Sequence, residues 1–471
     1  MTDNSNSIKL MAHQAAAVER ARIVDHLALF YDVGTGKTAT IITALREDFN
    51  KNKRIKRVLV FAPLSVCPQW KVEFLKFSKV PESVIHVLTG PGKKKKEYLA
   101  RLNIGKKGGV VVTNYESVQN KEVYAELMKW GPEVAIADES HLCKDSTGVR
   151  SKLLFPLFQQ AERRFLMTGT PAPQSMLDLY GQFKLLDASI FNCSFFAFRN
   201  RYFYDANAGM PSHVHFPKWV PRSNAEKEMA EVFGKYTMQA KRDECLDLPP
   251  LNRIMHHVEL SPGQRKAYIE MEKHFVTEVA GEFVTAEFAM TKTLRMQQIL
   301  SGFLEAGDKP VEFDNPRLDA LEDIIASYPK GEKIIIWTIF RPTYPILAKL
   351  CEKLGKTPVM LTGDQSAAEK EVSKESFLRG EANVLIANPA AGGTGLNLQE
   401  SKVSVYFSRG YNLAHQIQSE ARNYRAGSQQ HSVVNHHYLV STGTLDEVIS
   451  RALLYKLNVA EEVLAWARKK P

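Results

Sequence analysis

The segment DVGTGKT at residues 32–38 constrains the fold of this chain more than any other feature. It follows the apolar, strand-like run LALFYDV at 27–33 and opens a helix-like stretch. Gly34 and Gly36 permit a tight turn in which successive backbone N–H groups face phosphate oxygens at a helix N-terminus. The spacing departs from strict GxxxxGK[ST] because Tyr31 occupies the first glycine position. The placement between strand and helix still predicts a nucleotide-phosphate loop in an α/β protein.

Short apolar runs alternate with amphipathic, helix-like stretches in the first and last thirds of the chain. Such alternation predicts mostly parallel sheets that are covered by helices on both faces. The expected strands of the first third are LALFYDV (27–33), RVLVFAP (57–63), VIHVLTG (84–90), GVVVTNY (109–115), EVAIADE (133–139) and RFLMTG (164–169). Those of the last third are KIIIWTI (333–339), TPVMLTG (357–363), NVLIANP (383–389), KVSVYFS (402–408) and NHHYLVS (435–441).

The middle of the chain has a different texture, with aromatic clusters, helix-like stretches and few strand-like runs. We therefore predict an α/β protein with two tandem parallel-sheet lobes and a mostly helical insertion between them. The expected boundaries are 1–175 for the N-terminal lobe, 176–305 for the insertion and 306–471 for the C-terminal lobe. One continuous sheet is disfavoured because the middle offers so few strands.

Composition narrows the class of protein. Lys plus Arg number 62 against 52 for Asp plus Glu, and this net charge of +10 is compatible with a polyanionic partner without specifying one. Five scattered cysteines, never spaced as CxxC, argue against a disulfide framework and a structural zinc site. The N-terminus lacks a signal-peptide pattern and no apolar run reaches 18 residues, so we expect neither secretion nor membrane insertion.

Nucleotide hydrolysis needs a metal anchor and a group that activates water, and DESH at 138–141 offers both. Asp138 ends an apolar strand, where its carboxylate can hold Mg²⁺ through water, and Glu139 can orient and deprotonate the attacking water. In the phosphate loop, Lys37 would reach the β and γ phosphates and the Thr38 hydroxyl would ligate Mg²⁺. The expected ligands are therefore ATP and Mg²⁺.

A third element, QIQSEARNYRAGSQ at 416–429, lies far along the chain in the second predicted lobe. At helical pitch Gln418, Arg422 and Arg425 share one face. Arginines that project from one lobe towards phosphates held by another can neutralise the charge that develops in phosphoryl transfer.

Together these motifs resemble the Swi/Snf-related branch of helicase superfamily 2, whose motors are tandem RecA-like lobes. DVGTGKT, DESH and QSEARNYRAGSQ resemble motifs I, II and VI of that family, and MQAKRDECLDLPP (238–250) is similar to the branch's basic segment ahead of Leu-Pro-Pro. The remaining motifs are Ia (FAPLSVCPQW, 61–70), Ib (VVTNYE, 111–116), III (MTGTPAP, 167–173), IV (IIIWTIF, 334–340) and V (NPAAGGTGLNLQ, 388–399). The resemblance covers nearly the whole chain and implies a compact enzyme of bacterial or phage type. Motif VI departs from the family pattern at Ser428, so the spacing beyond Arg425 is open.

The resemblance implies roles for single residues. Gln14 would contact adenine, Thr168 and Thr170 would couple hydrolysis to lobe movement, and Arg425 would be an arginine finger with Arg422 beside it. The nucleotide-binding set would be Gln14, Gly34, Thr35, Gly36, Lys37, Thr38 and Gly395. The nucleic-acid contacts would be Ser65, Gln69, Thr113, Asn114, Tyr115 and, in the motif V loop, Asn397. We interpret GPGKKKKEY at 90–98 as a solvated basic loop, because no Ser or Thr follows its lysines.

The implied activity is a DNA-dependent ATPase motor that couples Mg-ATP hydrolysis to translocation on, or to remodelling or unwinding of, duplex or branched DNA. The expected contacts are sequence-independent and salt-sensitive because they involve the phosphate backbone. The alternatives are an RNA helicase, an ATPase that displaces proteins from nucleic acid, and a nucleotide-gated clamp without turnover. The expected location is the cytoplasm, associated with the nucleoid, or the host cytoplasm if the protein is viral.

Overall fold

The computed structural model describes most of the chain. The chain forms two units, and the first passes into the second between Leu246 and Asp247. The division falls inside the segment that the sequence analysis predicted as an insertion. The residues described are 10–105, 108–172, 175–209, 217, 219–281, 294–306, 309–392, 396–410, 413–444, 446–447, 449–450 and 453.

The first unit alternates strands and helices. Its strands are β1 His26–Tyr31, β2 Arg57–Ala62, β3 Ile85–Leu88, β4 Gly109–Asn114, β5 Val134–Asp138, β6 Arg163–Met167, β7 Phe203–Asp205, β8 Trp219–Pro221 and β9 Thr237–Ala240. Its helices are α1 Ala12–Ile23, α2 Lys37–Asn52, α3 Cys67–Phe77, α4 Gly92–Asn103, α5 Lys121–Trp130, α6 Val149–Gln160, α7 Asp178–Leu186, α8 Phe195–Tyr202, α9 Ala225–Phe233 and α10 Arg242–Cys245.

Among the described residues, seven strands of this unit form one parallel sheet in the order β3-β4-β2-β5-β6-β1-β9. Alternate residues of each strand enter two separate cores, as the two-residue period of a strand requires. In β1, Ala28 and Phe30 pack with residues of α4 to α7, whereas Leu27 and Leu29 pack with residues of α1 to α3. The sheet is thus buried on both faces, which explains why its strands read as nearly continuous apolar runs.

The second unit repeats this plan. Its strands are β10 Leu251–Val258, β11 Phe303–Ala306, β12 Lys309–Glu312, β13 Ile334–Trp337, β14 Pro358–Leu361, β15 Val384–Ala387, β16 Val403–Tyr406 and β17 Val434–Ser441. Its helices are α11 Pro262–Gly281, α12 at 294–300, α13 Pro316–Ala326, α14 Thr343–Lys353, α15 Ala367–Arg379, α16 Pro389–Gly392 and α17 Leu413–Asn423.

In the described part of this unit, six strands form a parallel sheet in the order β10-β17-β16-β13-β15-β14. Ile334 and Ile336 of β13 face a core shared with α13 and α14, and Ile335 and Trp337 face the opposite core. Two antiparallel hairpins, β7 with β8 and β11 with β12, stand apart from both sheets.

The two parallel sheets confirm the predicted fold class, and each predicted strand of the first and last thirds is present. The middle of the chain also contains strands that the sequence analysis did not predict. Among them are β9, which pairs with β1, and β10, which pairs with β17. Strand β10 lies at a sheet edge with many exposed residues, so it lacks the apolar run that marks a buried strand. The exact domain boundaries stay a prediction. No helix among the described residues is long and apolar enough to cross a membrane.

Candidate active site

The phosphate-loop motif connects β1 to α2 in the first unit. Gly34 and Gly36 both adopt left-handed backbone conformations, with φ of 90° and 86°, which a residue with a side chain adopts only under strain. The Lys37 ammonium group donates hydrogen bonds to the carbonyl oxygens of Tyr31 at 2.9 Å and Asp32 at 3.3 Å. The loop therefore curls around the lysine, and its glycines are required by its backbone.

Helix α1 packs against this loop through Gln14, which is buried. The Gln14 amide donates to the carbonyl oxygen of Thr35 at 3.2 Å and accepts from the backbone N–H of Met11 at 2.9 Å. His13 contributes a second contact, since its Nε2 atom lies 2.9 Å from the same Thr35 oxygen. The structure thus brings Gln14 to the phosphate loop, as its predicted part in nucleotide binding requires.

Asp138 ends β5, two strands away from β1 across β6. Its carboxylate accepts hydrogen bonds from the Trp70 indole N–H at 2.9 Å and from the backbone N–H of Glu139 at 3.0 Å. Burial and then the neighbouring Glu139 charge raise the pKa of the Asp138 carboxyl, while the Trp70 hydrogen bond and the Lys37 charge oppose this shift. The adjacent Asp138 and Glu139 carboxylates offer oxygen ligands of the kind that a divalent cation takes, and the Lys37 charge acts on Asp138.

Glu139 lies beside Asp138 in a left-handed conformation with φ of 55°. Its Oε2 atom lies 3.3 Å from Nδ1 of His141 and 3.4 Å from the hydroxyl of Thr168. The Thr168 hydroxyl also lies 3.0 Å from the same His141 nitrogen and accepts from the backbone N–H of Thr170. Strand β6 lies between β1 and β5 in the sheet. The loop after β6, which begins with Thr168, therefore lies between the phosphate loop and the Asp138–Glu139 pair at the carboxyl edge of the sheet, where ligands of open α/β sheets bind.

The motif VI residues lie in the second unit, and one expectation about them is wrong. Helix α17 ends at Asn423, so Arg425 lies beyond the helix and shares no helical face with Gln418 and Arg422. The two arginines meet by another route, because both guanidinium groups donate to the carbonyl oxygen of Leu396, at 3.3 Å and 3.4 Å. Asn397, the next residue in motif V, is exposed. Gly393 and Gly395 lie outside the described residues.

The predicted nucleic-acid contacts of the first unit fall into two groups. Ser65 is exposed and Gln69 is partly exposed, near the start of α3. Thr113 and Tyr115 have buried side chains, whose hydroxyl groups donate to the carbonyl oxygens of Leu88 and Asp138. These two side chains therefore face the interior of the unit.

The interpretation of residues 90–98 as a solvated basic loop is wrong. The lysines lie in α4, and Lys95 is buried with its ammonium group 2.6 Å from Asn114 Oδ1 and 2.7 Å from Ser117 Oγ. Desolvation lowers the pKa of Lys95. The sequence of four consecutive lysines does not show which one is buried, since the helical period directs only one of these side chains into the core.

Comparison with known proteins identifies the family. Residues 15–306, well over half of the chain, match the model described as the SNF2-related domain. The chain belongs to the SNF2-related family. Residues 316–427 of this SNF2-related chain match the helicase conserved C-terminal domain. The protein is accordingly an ATP hydrolase of helicase type, with the two-lobe architecture of that family.

The relatives of this SNF2-related chain differ greatly in length. A phage protein named p41, from Acyrthosiphon pisum secondary endosymbiont phage 1, is 26% identical over 95% of this chain and 97% of its own length. YwqA of Bacillus subtilis, whose name describes an ATP-dependent helicase/translocase, is 23% identical over 92% of this chain and 46% of its own. Chromodomain-helicase-DNA-binding protein 1-like of Danio rerio is 22% identical over 93% and 42%, respectively. This chain thus spans less than half of the two longer relatives.

One solved structure, the Sulfolobus solfataricus SWI2/SNF2 ATPase core in complex with dsDNA, is 21% identical to this SNF2-related chain with a TM-score of 0.44. The match covers 97% of this chain and 92% of the Sulfolobus chain.

The sequence analysis missed three residues of this SNF2-related chain that shape the site. His13 contacts the phosphate loop, Trp70 holds Asp138, and Lys95 anchors the segment after β4. His13 directly precedes Gln14, and Trp70 ends the motif FAPLSVCPQW, so both residues lay beside predicted positions. The contacts of Trp70 and Lys95 join segments 68 and 19 residues apart in sequence, so spacing alone cannot predict them.

Proposed function

We propose that this chain is a DNA-dependent ATPase motor that couples Mg-ATP hydrolysis to translocation on, or remodelling of, duplex or branched DNA. The observation that carries the proposal is the convergence of the phosphate loop, Asp138, Glu139 and Thr168 at the carboxyl edge of the first sheet. The names of the relatives support the coupling to nucleic acid, since they describe an ATP-dependent helicase/translocase and a DNA-binding helicase.

The nucleotide phosphates bind over the turn between β1 and α2. Backbone N–H groups of Gly34, Thr35 and Gly36 face the phosphates, and Lys37 turns from its carbonyl partners towards the β and γ phosphates. Gln14 contacts adenine, since its amide carries two N–H groups and Thr35 takes one of them.

Thr38 and Asp138 would hold Mg²⁺, which would supply positive charge to neutralise the transferring phosphoryl group. Glu139 orients the attacking water and accepts its proton. Its carboxylate is held for this task by His141 and Thr168, within 3.3 Å and 3.4 Å. Thr168 begins the loop after β6 and its hydroxyl donates to Glu139. A movement of the Glu139 carboxylate therefore also moves this loop.

The second unit contributes Arg425 as the arginine finger and Arg422 as its neighbour. Their shared bond to Leu396 ties motif VI to the motif V loop, which contains Gly395 and Asn397. Phosphate charge drawn to Arg425 therefore also acts on the loop proposed to contact DNA.

The DNA-contacting groups of the first unit are the hydroxyl of Ser65 and the amide of Gln69. These polar groups suit phosphate and sugar contacts, which fix position without reading sequence. We leave Thr113, Asn114 and Tyr115 out of this surface, because their side chains are buried.

The direct test is displacement of a triplex-forming strand from duplex DNA by the full chain with Mg-ATP. The proposal expects displacement that depends on ATP and is lost in Lys37→Ala, with circular dichroism showing that the variant is folded. Displacement in the absence of hydrolysis, or turnover stimulated by RNA alone, would contradict the proposal. A parallel assay with forked duplexes shows whether the strands are separated.

A further inference from the structure

Asp138 is held by donor side chains that come from two different segments of the first unit. The Trp70 indole N–H donates to the carboxylate atom Oδ2 at 2.9 Å. The Tyr115 hydroxyl donates to the Asp138 backbone carbonyl oxygen at 2.6 Å. Trp70 and Tyr115 are each 1% exposed and Asp138 is 6% exposed, so water does not compete for these bonds.

The Trp70 donor belongs to a segment that we propose to contact DNA. Trp70 lies in α3, directly after Gln69 and five residues after Ser65. Tyr115 directly follows Asn114 at the end of β4, and both side chains are buried. The segment that contains motif Ia thus has Ser65 and Gln69 at its surface and donates to Asp138 through Trp70, whereas Tyr115 donates from the interior of the unit.

The segment that contains Tyr115 is connected internally, so it shifts as a unit. Lys95 donates to Asn114 and Ser117, on either side of Tyr115. Arg150 forms an ion pair with Glu116 at 2.8 Å and lies over the Tyr115 ring, 5.7 Å from its centre. The Tyr115 hydroxyl is therefore held in a connected segment rather than in a loose loop.

The Trp70 connection is equally stiff. The indole ring is packed in the core shared by α1, α2 and α3, next to Phe74. Its N–H is a charge-assisted donor to a carboxylate, which is stronger and more directional than a bond between neutral groups. A small movement of α3 therefore rotates or releases the Asp138 carboxylate.

We propose that Trp70 and Tyr115 are positioning residues that couple DNA contact at α3 to the placement of Asp138. Trp70 sets the orientation of the carboxylate, and Tyr115 sets the position of the backbone that carries it. The proposal rests on the proposed DNA-dependent ATPase function. It adds a route through the first unit alone, separate from the arginines of the second unit.

The test measures thermodynamic coupling between the two ligands. Binding of a non-hydrolysable Mg-ATP analogue is measured with and without saturating duplex DNA, and the ratio of the two dissociation constants is the coupling factor. Tyr115→Phe deletes only the hydroxyl group, and Trp70→Phe replaces the indole by a smaller aromatic ring without an N–H. We expect a wild-type coupling factor of about 5 or more to fall towards 1 in each variant, with a parallel loss of DNA-stimulated turnover.

Trp130→Phe is the matched control. Trp130 is buried in the same unit, and its indole N–H donates to no residue in the described part of the chain. It should keep the wild-type coupling factor. A purely structural role for Trp70 and Tyr115 would lower the melting temperature and leave the coupling factor unchanged, and that result would overturn the inference. If the wild-type chain itself shows no coupling and no stimulation by DNA, the proposed function fails instead.

Discussion

Gln14 and Thr35 are joined by a hydrogen bond of 3.2 Å, which ties the first described helix to the phosphate loop. The contact is close, since a Cβ atom on Gly36 would overlap the Gln14 amide nitrogen. Helix α1 is therefore one wall of the nucleotide loop, and the glycine at position 36 is required by packing as well as by its backbone conformation.

Gly36→Ala should weaken ATP binding. The left-handed conformation costs a residue with a Cβ about 1–2 kcal/mol, and the overlap must also displace Gln14. We expect the dissociation constant for ATP to rise at least about tenfold, the equivalent of 1.4 kcal/mol. Gly90→Ala is the control, because Gly90 has φ of 89° in the same unit but meets no atom within 4 Å. Equal ATP affinity in both variants would contradict the role of the Gln14 contact.

Glu139→Gln should separate ATP binding from hydrolysis. The amide keeps the size of the side chain but cannot accept a proton, so turnover should fall by about 10²–10⁴-fold. Binding of ATP, measured by calorimetry, should stay within a few-fold of the wild-type value. Glu122→Gln, on the exposed side of α5, should leave both quantities unchanged. Wild-type turnover in Glu139→Gln would remove this residue from the mechanism.

The sequence was sufficient to predict the sheets, because parallel strands buried on both faces need uninterrupted apolar runs such as RVLVFAP and KIIIWTI. It was insufficient for β10, an edge strand whose exposed positions carry Asn252, Arg253 and Met255. This segment forms a strand because it pairs with its neighbour β17, and its own sequence pattern does not determine that conformation.

The candidate site shows the same division. Lys37, Asp138 and Glu139 were predicted from local motifs, because each lies in a short segment with its own chemistry, and their catalytic roles stay predictions. The direction in which Tyr115 and Lys95 point depends on packing between distant helices and strands. The family resemblance implied a nucleic-acid contact for Tyr115, although its hydroxyl is bonded inside the unit.

Arg425→Ala should impair hydrolysis more than binding. An arginine that stabilises phosphoryl transfer is worth about 10³-fold or more in turnover. We expect single-turnover hydrolysis to fall by that order, with a change of only a few-fold in ATP affinity. Arg379→Ala, an exposed arginine at the end of α15, is the control. Loss of ATP binding that equals the loss of turnover would contradict the arginine-finger role.

The second unit should lose stability in mild acid because of His437. Burial and then the neighbouring His256 lower its pKa to about 4, and its ring lies between His256 and Tyr328, at 2.8 Å and 2.7 Å. The charges of Glu332 and Lys402 act on the pKa of Tyr328 in opposite directions. The unfolded chain binds a proton near pH 6.5 and the folded chain only near pH 4, so the free energy of unfolding falls as the pH drops between these values.

Chemical denaturation at pH 7 and pH 5 tests this prediction. His437→Gln should reduce the difference in unfolding free energy between the two pH values, whereas His431→Gln should preserve it. His431 is bonded to a backbone oxygen in a turn and does not lie in the His256 cluster. An unchanged pH dependence in His437→Gln would show that another group is responsible.

The most direct measurement of the central claim is the rate of phosphate release from Mg-ATP by the full chain, with single-stranded, duplex, forked and four-way DNA and with RNA. The account predicts a low basal rate, clear stimulation by duplex or branched DNA that weakens with salt, and loss of the stimulated rate in Lys37→Ala. A rate that no nucleic acid changes, or a stimulated rate that survives in Lys37→Ala, would contradict it.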